Sequence, residues 1–342
     1  MQDLIKFVIE AEKGGFTSTM TSDHFHPWWN DGGFGNFTWI WLTAAAERTK
    51  NMQFVTGVTS PVYRYNPAII AQAFASLDTL YLHRISLGVG TGEAMNEASV
   101  GFEWPSPETR LNRTIEAIEI INNLWKKDQR PKPLRDEETK FSTGNTYIDT
   151  DGFLTYSGQY FRTKSAKLYT PPSHLIPLYM AASGPEAITA AATYTDGMIT
   201  TSKPNNSKEV FDKFDQAAKA AGKDPTKLEK IGKPKISYSE DYDEAFKSTY
   251  FWRASSIENV FDTAINDPRK LQEKALEEVS DEKLKKSTLI VTSVEDLIKP
   301  LEEYFKSGFT QIYLHSTSPD EIDFVKQFCK KVLPHFKEEK QL

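Results

Sequence analysis

The chain carries one cysteine, Cys329, in 342 residues. One thiol makes no intrachain disulfide and no cysteine cluster for structural zinc. Long hydrophobic runs are absent too: nothing approaches the ~18 consecutive apolar residues of a membrane-spanning helix. Positive charge is in the minority, 41 Lys and Arg against 47 Asp and Glu, so the formal charge is 41 − 47 = −6. A nucleic-acid binder usually shows a basic excess or stripe, and this chain shows neither. The opening MQDLIKFVIEAEKGG interleaves acids with its lysines and lacks the apolar run and cleavage site of a signal peptide. A soluble, cytoplasmic globular protein is expected. Hydrophobic residues make up 39% and aromatics 12%, enough to fill a large core. Length alone would suggest two domains, but α/β barrels of this size are commonly one, so a single domain over 1–342 is expected.

Glycine and proline punctuate the chain into alternating strand and helix patterns. Apolar, β-branched stretches at 52–60, 84–92, 176–183 and 196–201 predict buried parallel strands, with others at 17–22, 233–239 and 309–316. Between them lie helical patterns; in 108–126, for example, Leu111, Ile115, Ile118, Ile121 and Leu124 form one apolar stripe. Such alternation predicts a parallel sheet with helices outside it. Seven barrel-type strands are legible and eight would close a (β/α)8 TIM barrel. The chain opens on a helix, so the strand not found is strand one. An open doubly wound sheet is the alternative. Residues 127–170 break the rhythm: a polar run, KKDQRPKPLRDEETK, precedes GNTYIDTDGFLTYSGQYF. This predicts a surface insertion with a β-hairpin around Gly152 and Gly158.

In a parallel barrel, reactive groups sit just after the strands. After the first legible strand comes SDHFHPWWNDGGFGNF, residues 22–37. His24 titrates near neutrality, as a general acid or base must, and Asp23 beside it can orient the ring. Trp28 and Trp29 offer flat surfaces for a planar ligand. His24 and His26 have the spacing of a metal pair, but a metal centre needs further ligands on later strand ends. Those near 183 and 201 have none, and His315 with Asp320 is the only late candidate, so no metal is expected. GVGTGEAMNEA, 88–98, places alternate glycines where a ligand approaches the backbone. Its register is G-x-G-x-G, a weak match to a dinucleotide loop. Glu93 and Asn96 come after it, and Asn96 alone would read as a helix cap. AASGP, ending at Pro185, opens a helix and makes a ready phosphate site. Thr200, Thr201 and Ser202 lie at the next strand end. In GVTSPVYRYNP, 57–67, Arg64 is expected to pair with an acid rather than bind an anion.

Together, SDHFHPWW, RYNPAIIAQAFASLDTLY, GVGTGEAMNE and AASGP resemble the luciferase-like barrel superfamily. The resemblance is strongest to its coenzyme F420 (deazaflavin) branch, which includes glucose-6-phosphate and secondary alcohol dehydrogenases, and it runs from about residue 3 to about 335. It implies an eight-stranded barrel with insertions, usually a homodimer, and F420 as cofactor. By resemblance, His24 is the base that takes an alcohol proton, Glu93 the acid toward the deazaflavin, and Trp28 a wall of the substrate pocket. Asp23, Gly92 and Asn96 match cofactor contacts, and Gly57-Val58 a non-prolyl cis peptide behind the ring. Ser183 and Gly184 match the loop that receives the cofactor phosphate, with Thr201 and Ser202 beside it.

The sugar-phosphate enzymes of this branch use three basic residues for the substrate phosphate. Lys203 matches the first; the second falls on Asp262 and the third near Thr288, with Lys285 and Lys286 close by. An acid there would repel a phosphate monoester of roughly −1.5 to −2 charge, which argues against glucose 6-phosphate. The expected activity is hydride transfer between an alcohol, either a sugar phosphate or a secondary alcohol, and F420. The rivals are an FMN-dependent monooxygenase of the same superfamily, a metal-dependent hydrolase using His24 and His26, and a non-catalytic F420 carrier.

Overall fold

The computed structural model describes residues 2–125 and 144–339. Seven of its strands are parallel neighbours in one curled sheet: β1 (Ser18–Thr21), β2 (Gln53–Thr56), β3 (Ile85–Val89), β7 (Leu178–Ala181), β8 (Gly197–Thr200), β9 (Glu229–Gly232) and β12 (Gln311–Ile312). They lie side by side in that order. Helices come after the strands and pack outside. The helix Pro67–Leu80 shows why: Ile70, Ala71, Phe74 and Leu77 form an apolar face turned to the sheet, and Asn66 caps its first turn by accepting from the Ala68 N–H.

The two outer strands of the curled sheet approach each other. Gln311 Nε2 donates to Ser18 Oγ at 3.1 Å, and among the described residues no strand lies between them. The helix Gln2–Gly14 packs instead against the helix Glu321–Lys331 near the other end of the chain. Six of the seven strand positions read from the sequence coincide with strands of this sheet; the position at 233–239 coincides instead with the continuation of β9. The last two strands are broken in the middle: β9 resumes as β10 (Lys235–Tyr238), and β12 as β13 (His315–Ser316). With β11 (Leu289–Val291) these form a second parallel sheet in the order β11–β10–β13. Inside the barrel, Val55, Tyr179, Ile199, Ile231 and Tyr313 make a small apolar plug, and Met20 and Val58 pack on it. That plug is the floor of the mouth.

Residues 126–143 of the expected insertion lie outside the described residues. The rest of it forms an antiparallel sheet, β4 (Asn145–Ile148), β5 (Leu154–Ser157) and β6 (Arg162–Ala166), with Gly152 and Gly158 in its two turns. It is docked rather than loose. Glu116, buried on the helix Pro107–Leu124, accepts the N–H groups of Gln159, Tyr160 and Phe161, and Tyr156 donates to Glu119.

A different segment covers the site. Residues 242–287 leave the barrel as short helices with a core of their own: Phe246, Ala254, Ile257, Val260, Leu271, Ala275, Val279 and Leu284. Trp28 and Met95, from the loops after β1 and β3, complete that core.

Candidate active site

Asp23 and His24 come after β1, Gly57-Val58 after β2, and Gly90 to Asn96 after β3. Ser183-Gly184 lies beyond the end of β7 and Thr201-Ser202 beyond the end of β8. Since β1, β2, β3, β7 and β8 are consecutive neighbours in the sheet, every expected site residue lies on one continuous arc at one end of the barrel.

Asp23 is buried and held from three sides. Its Oδ2 accepts from Thr59 Oγ1 at 2.8 Å; its Oδ1 accepts from Arg64 Nη2 at 3.0 Å and from the Tyr65 hydroxyl at 3.2 Å. Arg64 also donates to the Asp23 carbonyl at 2.8 Å. On its other flank lies Glu97, whose Oε1 is 4.0 Å from Nε and whose Oε2 accepts the N–H groups of Tyr63 and Arg64. Burial pushes the Glu97 carboxyl above its usual range, against the pull of Arg64 and those N–H donors. Arg64 thus pairs with acids, as expected, and its work is to lock the loop after β2 to the strand end that carries His24.

Asn96 organises the other side of His24. Its carbonyl oxygen accepts the N–H of Phe25 at 2.8 Å and of His26 at 3.3 Å. That fixes the amide, so the Nδ2 hydrogens face Glu93 Oε2 at 2.5 Å and His24 Nδ1 at 3.1 Å. An amide nitrogen only donates, so His24 Nδ1 accepts and the neutral ring carries its proton on Nε2. Asn96 sits inside the short helix Ala94–Glu97 and does not cap it. Glu93 Oε2 itself is 3.8 Å from His24 Nδ1. Burial lowers the His24 pKa; Glu93 opposes that and Lys233 adds to it.

Trp28 reaches His24, ring centroids 5.8 Å apart, and meets Phe261 edge-on at 6.0 Å. It is mostly buried, part of the 242–287 core as well as a wall of the mouth. His26 does not join His24. Its Nδ1 faces Ser99 Oγ at 3.0 Å and the Asn266 carbonyl at 3.1 Å.

The residues suit a planar ring with an anionic tail. The Gly57–Val58 peptide is cis, and Val58 rests on the barrel plug. A Cβ at Gly90 would lie 2.5 Å from Val58 Cγ2; Gly92 has φ +81°, and a Cβ there would meet Ser60 Oγ at 2.7 Å. The helices Pro185–Tyr194 and Pro204–Ala220 both begin on Pro, with Gly184 and Lys203 before them and no side chain capping either. Helix starts of this kind offer free N–H groups and a positive dipole end to an anion. Lys203 Nζ donates to the Lys286 carbonyl at 2.7 Å. Asp262 is tied to Arg110 at 2.6 Å, and Thr288 is buried, so neither offers a cation.

Three residues of the mouth escaped sequence reading. Lys233 lies on the β9–β10 link, Lys235 begins β10 and Trp252 lies in the covering segment; the only signal was two lysines in an otherwise apolar strand pattern, KPKISY. The His315 ring meets Trp252 edge-on at 4.1 Å.

Residues 1–311 match the luciferase-like monooxygenase family, and the chain belongs to that family. Two curated relatives, the F420-dependent glucose-6-phosphate dehydrogenases of Mycolicibacterium gilvum (strain PYR-GCK) and Mycolicibacterium smegmatis (strain ATCC 700084 / mc(2)155), are each 33% identical over 98% of this chain and 94% of theirs. A solved F420-dependent secondary alcohol dehydrogenase, in complex with an F420–acetone adduct, is 34% identical with a TM-score of 0.86, covering 97% of this chain and 94% of that one. The F420-dependent tetrahydromethanopterin reductase of Methanopyrus kandleri, 20% identical with a TM-score of 0.73 over 98% of this chain and 95% of that one, shares the fold.

Proposed function

We propose that the chain is an F420-dependent dehydrogenase acting on CH–OH groups, with a small-molecule alcohol as substrate. The observation that carries this reading is the His24–Asn96–Glu93 constellation at the strand ends of the barrel. The full-length likeness to F420-dependent alcohol and sugar-phosphate dehydrogenases supports it. When bound, the deazaflavin exchanges a hydride with the carbon that bears the oxygen. Asp23, Gly92 and Asn96 would line the ring and Val58 would back it. Ser183, Gly184, Thr201 and Ser202 would receive the cofactor phosphate at the two helix starts. Trp28 and the covering segment exclude water.

His24 handles the proton at the substrate oxygen. With its proton on Nε2, the neutral ring donates a hydrogen bond to a carbonyl oxygen; delivering that proton in ketone reduction requires Nδ1 to be protonated as well, so that neutral imidazole and not imidazolate is left. To take an alcohol proton at Nε2, the ring must carry its own proton on Nδ1, and Glu93 Oε2 is the acceptor beside it. Asn96 stands between these two states as a positioning residue. Replacing it, Asn96→Leu, should let Glu93 pair directly with the ring and raise the His24 pKa. The acid limb of kcat/KM then moves to higher pH, and kcat falls by about tenfold or more. An unmoved limb with normal kcat would remove Asn96 from this role.

A second test addresses cofactor binding. Gly184→Asp places a carboxylate at the helix start in open space, since a Cβ there meets nothing within 4 Å. As an N-cap, Asp is at least as good as Gly, so thermal stability should hold. Affinity for F420, read by fluorescence titration, should drop at least about tenfold, roughly 1.4 kcal/mol. Undiminished affinity would move the phosphate elsewhere. The reading also carries a cytoplasmic location, supported by the lone Cys329, and a homodimer, supported by the family resemblance. Among the described residues no helix is long and apolar enough to cross a membrane.

A further inference from the structure

We propose that Arg110 is a specificity-determining positioning residue: it clasps the covering segment so that Phe261 steadies the Trp28 wall of the pocket, which restricts the pocket to compact alcohols. The inference rests on the dehydrogenase reading and names what sets the size of its substrate. Arg110 lies in the first turn of the helix Pro107–Leu124 and is 2% exposed. A guanidinium stays charged at any working pH, so burying it is costly unless its donors and its faces find partners. Two of its nitrogens reach the covering segment, 151 and 152 positions away: Nη1 donates to the Phe261 carbonyl at 3.0 Å and Nη2 to Asp262 Oδ1 at 2.6 Å. Trp104, just before the helix, stacks on the group, with Cζ 4.4 Å from the ring centroid. Meeting a carbonyl, a carboxylate and an aromatic face at once needs the planar fork of Arg.

The gripped turn is short. Val260 anchors it in the covering core, and it closes through the Asp262 N–H on the Asn259 carbonyl at 2.8 Å and the Thr263 N–H on the Val260 carbonyl at 3.3 Å. Phe261 keeps 48% of its surface exposed, so burial alone fixes it weakly; the backbone that Arg110 grips is what places its ring. That ring meets Trp28 edge-on at 6.0 Å, and Trp28 stands 5.8 Å from the His24 ring. Arg110, Phe261, Trp28 and His24 thus form one series of contacts from the helix to the reacting group. Edge-to-face rings hold a preferred arrangement, so a turn that slips away frees the outer side of Trp28. Stability is a lesser part of this contact. The Asp262 side chain is 55% exposed, and a carboxylate with that access to water does not depend on a cation. Removing Arg110 therefore strands no charge in the interior, unlike removing Arg64 from its two buried acids.

The test compares wild type with Arg110→Met and Arg110→Lys. Met keeps an apolar stem against Trp104 and removes both donors; Lys keeps the charge without the fork. With F420, kcat/KM is measured for propan-2-ol as the compact alcohol and cyclohexanol as the bulky one. The ratio of cyclohexanol to propan-2-ol should rise about tenfold in Arg110→Met and by less in Arg110→Lys, with F420 affinity within a few-fold of wild type. An unchanged ratio, or an equal loss for both alcohols, would overturn the proposal. In parallel, amide hydrogen exchange is followed in the cofactor-free chain. The Asp262 and Thr263 amides should exchange about tenfold faster or more in Arg110→Met, while the urea midpoint holds. Unchanged exchange there refutes the clasp. Faster exchange along the whole chain with a lower urea midpoint makes Arg110 a support of the fold and refutes its positioning role. Because exchange needs neither F420 nor turnover, a chain that reduces F420 with no alcohol defeats the dehydrogenase reading while the clasp is still scored.

Discussion

His24→Asn should lower kcat by about 10²–10⁴ while leaving F420 affinity within a few-fold of wild type. Asn keeps the polarity and much of the size of the side chain, so Asn96 and Glu93 retain a polar neighbour, but it has no nitrogen that exchanges a proton near neutrality. The pH dependence is set by the environment. Burial lowers the ring below its usual 6.5, and Lys233 pushes the same way. A base with a lowered pKa is neutral, and competent to accept, down to more acidic conditions. The acid limb of kcat/KM for alcohol oxidation should therefore fall below about pH 6.5, and His24→Asn should abolish that limb with the rate it governs. Steady-state rates across a pH range of about 5 to 9 read both effects; a variant with undiminished kcat would take His24 out of the chemistry.

Arg64→Met should destabilise the fold by about 3–5 kcal/mol, because it leaves buried carboxylates facing each other without their cation. The side chains of Asp23 and Glu97 are 1% and 0% exposed, and Arg64 touches both. Arg64→Lys should recover only part of the loss. A single ammonium does not reproduce the guanidinium fork that meets the Asp23 carboxylate and carbonyl on one side and faces Glu97 on the other. The pH sign is opposite to that of ordinary acid unfolding. Glu97 already sits above its usual range, and removing the cation raises it further. A carboxyl with a raised folded pKa is stabilised by protonation, so the variant should regain part of its deficit as pH falls from about 7 toward about 5. Urea unfolding at the two pH values measures this. A loss below about 1 kcal/mol would mean that the cluster adds little to the fold.

The site was legible where position along the strands dictates it. Strand-end glycines, an Asp-His pair and a small-residue loop before a helix lie where a parallel barrel puts chemistry, and six of the seven strands are apolar enough to stand out. Partnership across distance was not legible. Arg64 pairs with Asp23, 41 positions away, and Glu97, 33 positions away, a relation that spacing along the chain does not encode. Asn96, which alone reads as a helix cap, spends all its hydrogen bonds on His24, Glu93 and the backbone of Phe25 and His26. The cover over the mouth is not the insertion at 127–170, whose described part docks on the helix Pro107–Leu124. It comes instead from 242–287. There the apolar positions Leu271, Ala275, Val279 and Leu284 are spaced through a charged run, LQEKALEEVSDEKLKK, that reads as a solvated surface helix. Lys233 and Lys235 were hidden for the opposite reason: a lysine in a strand reads as an edge residue turned to water.

The most direct measurement is anaerobic mixing of the protein with oxidised F420 and each alcohol, monitoring the deazaflavin absorbance. The account predicts that wild type bleaches the F420 band in the presence of an alcohol and that His24→Asn does so hundreds of times more slowly, an effect on the order of 10² or more. No bleaching with any alcohol, together with oxygen uptake driven by reduced FMN, would contradict it.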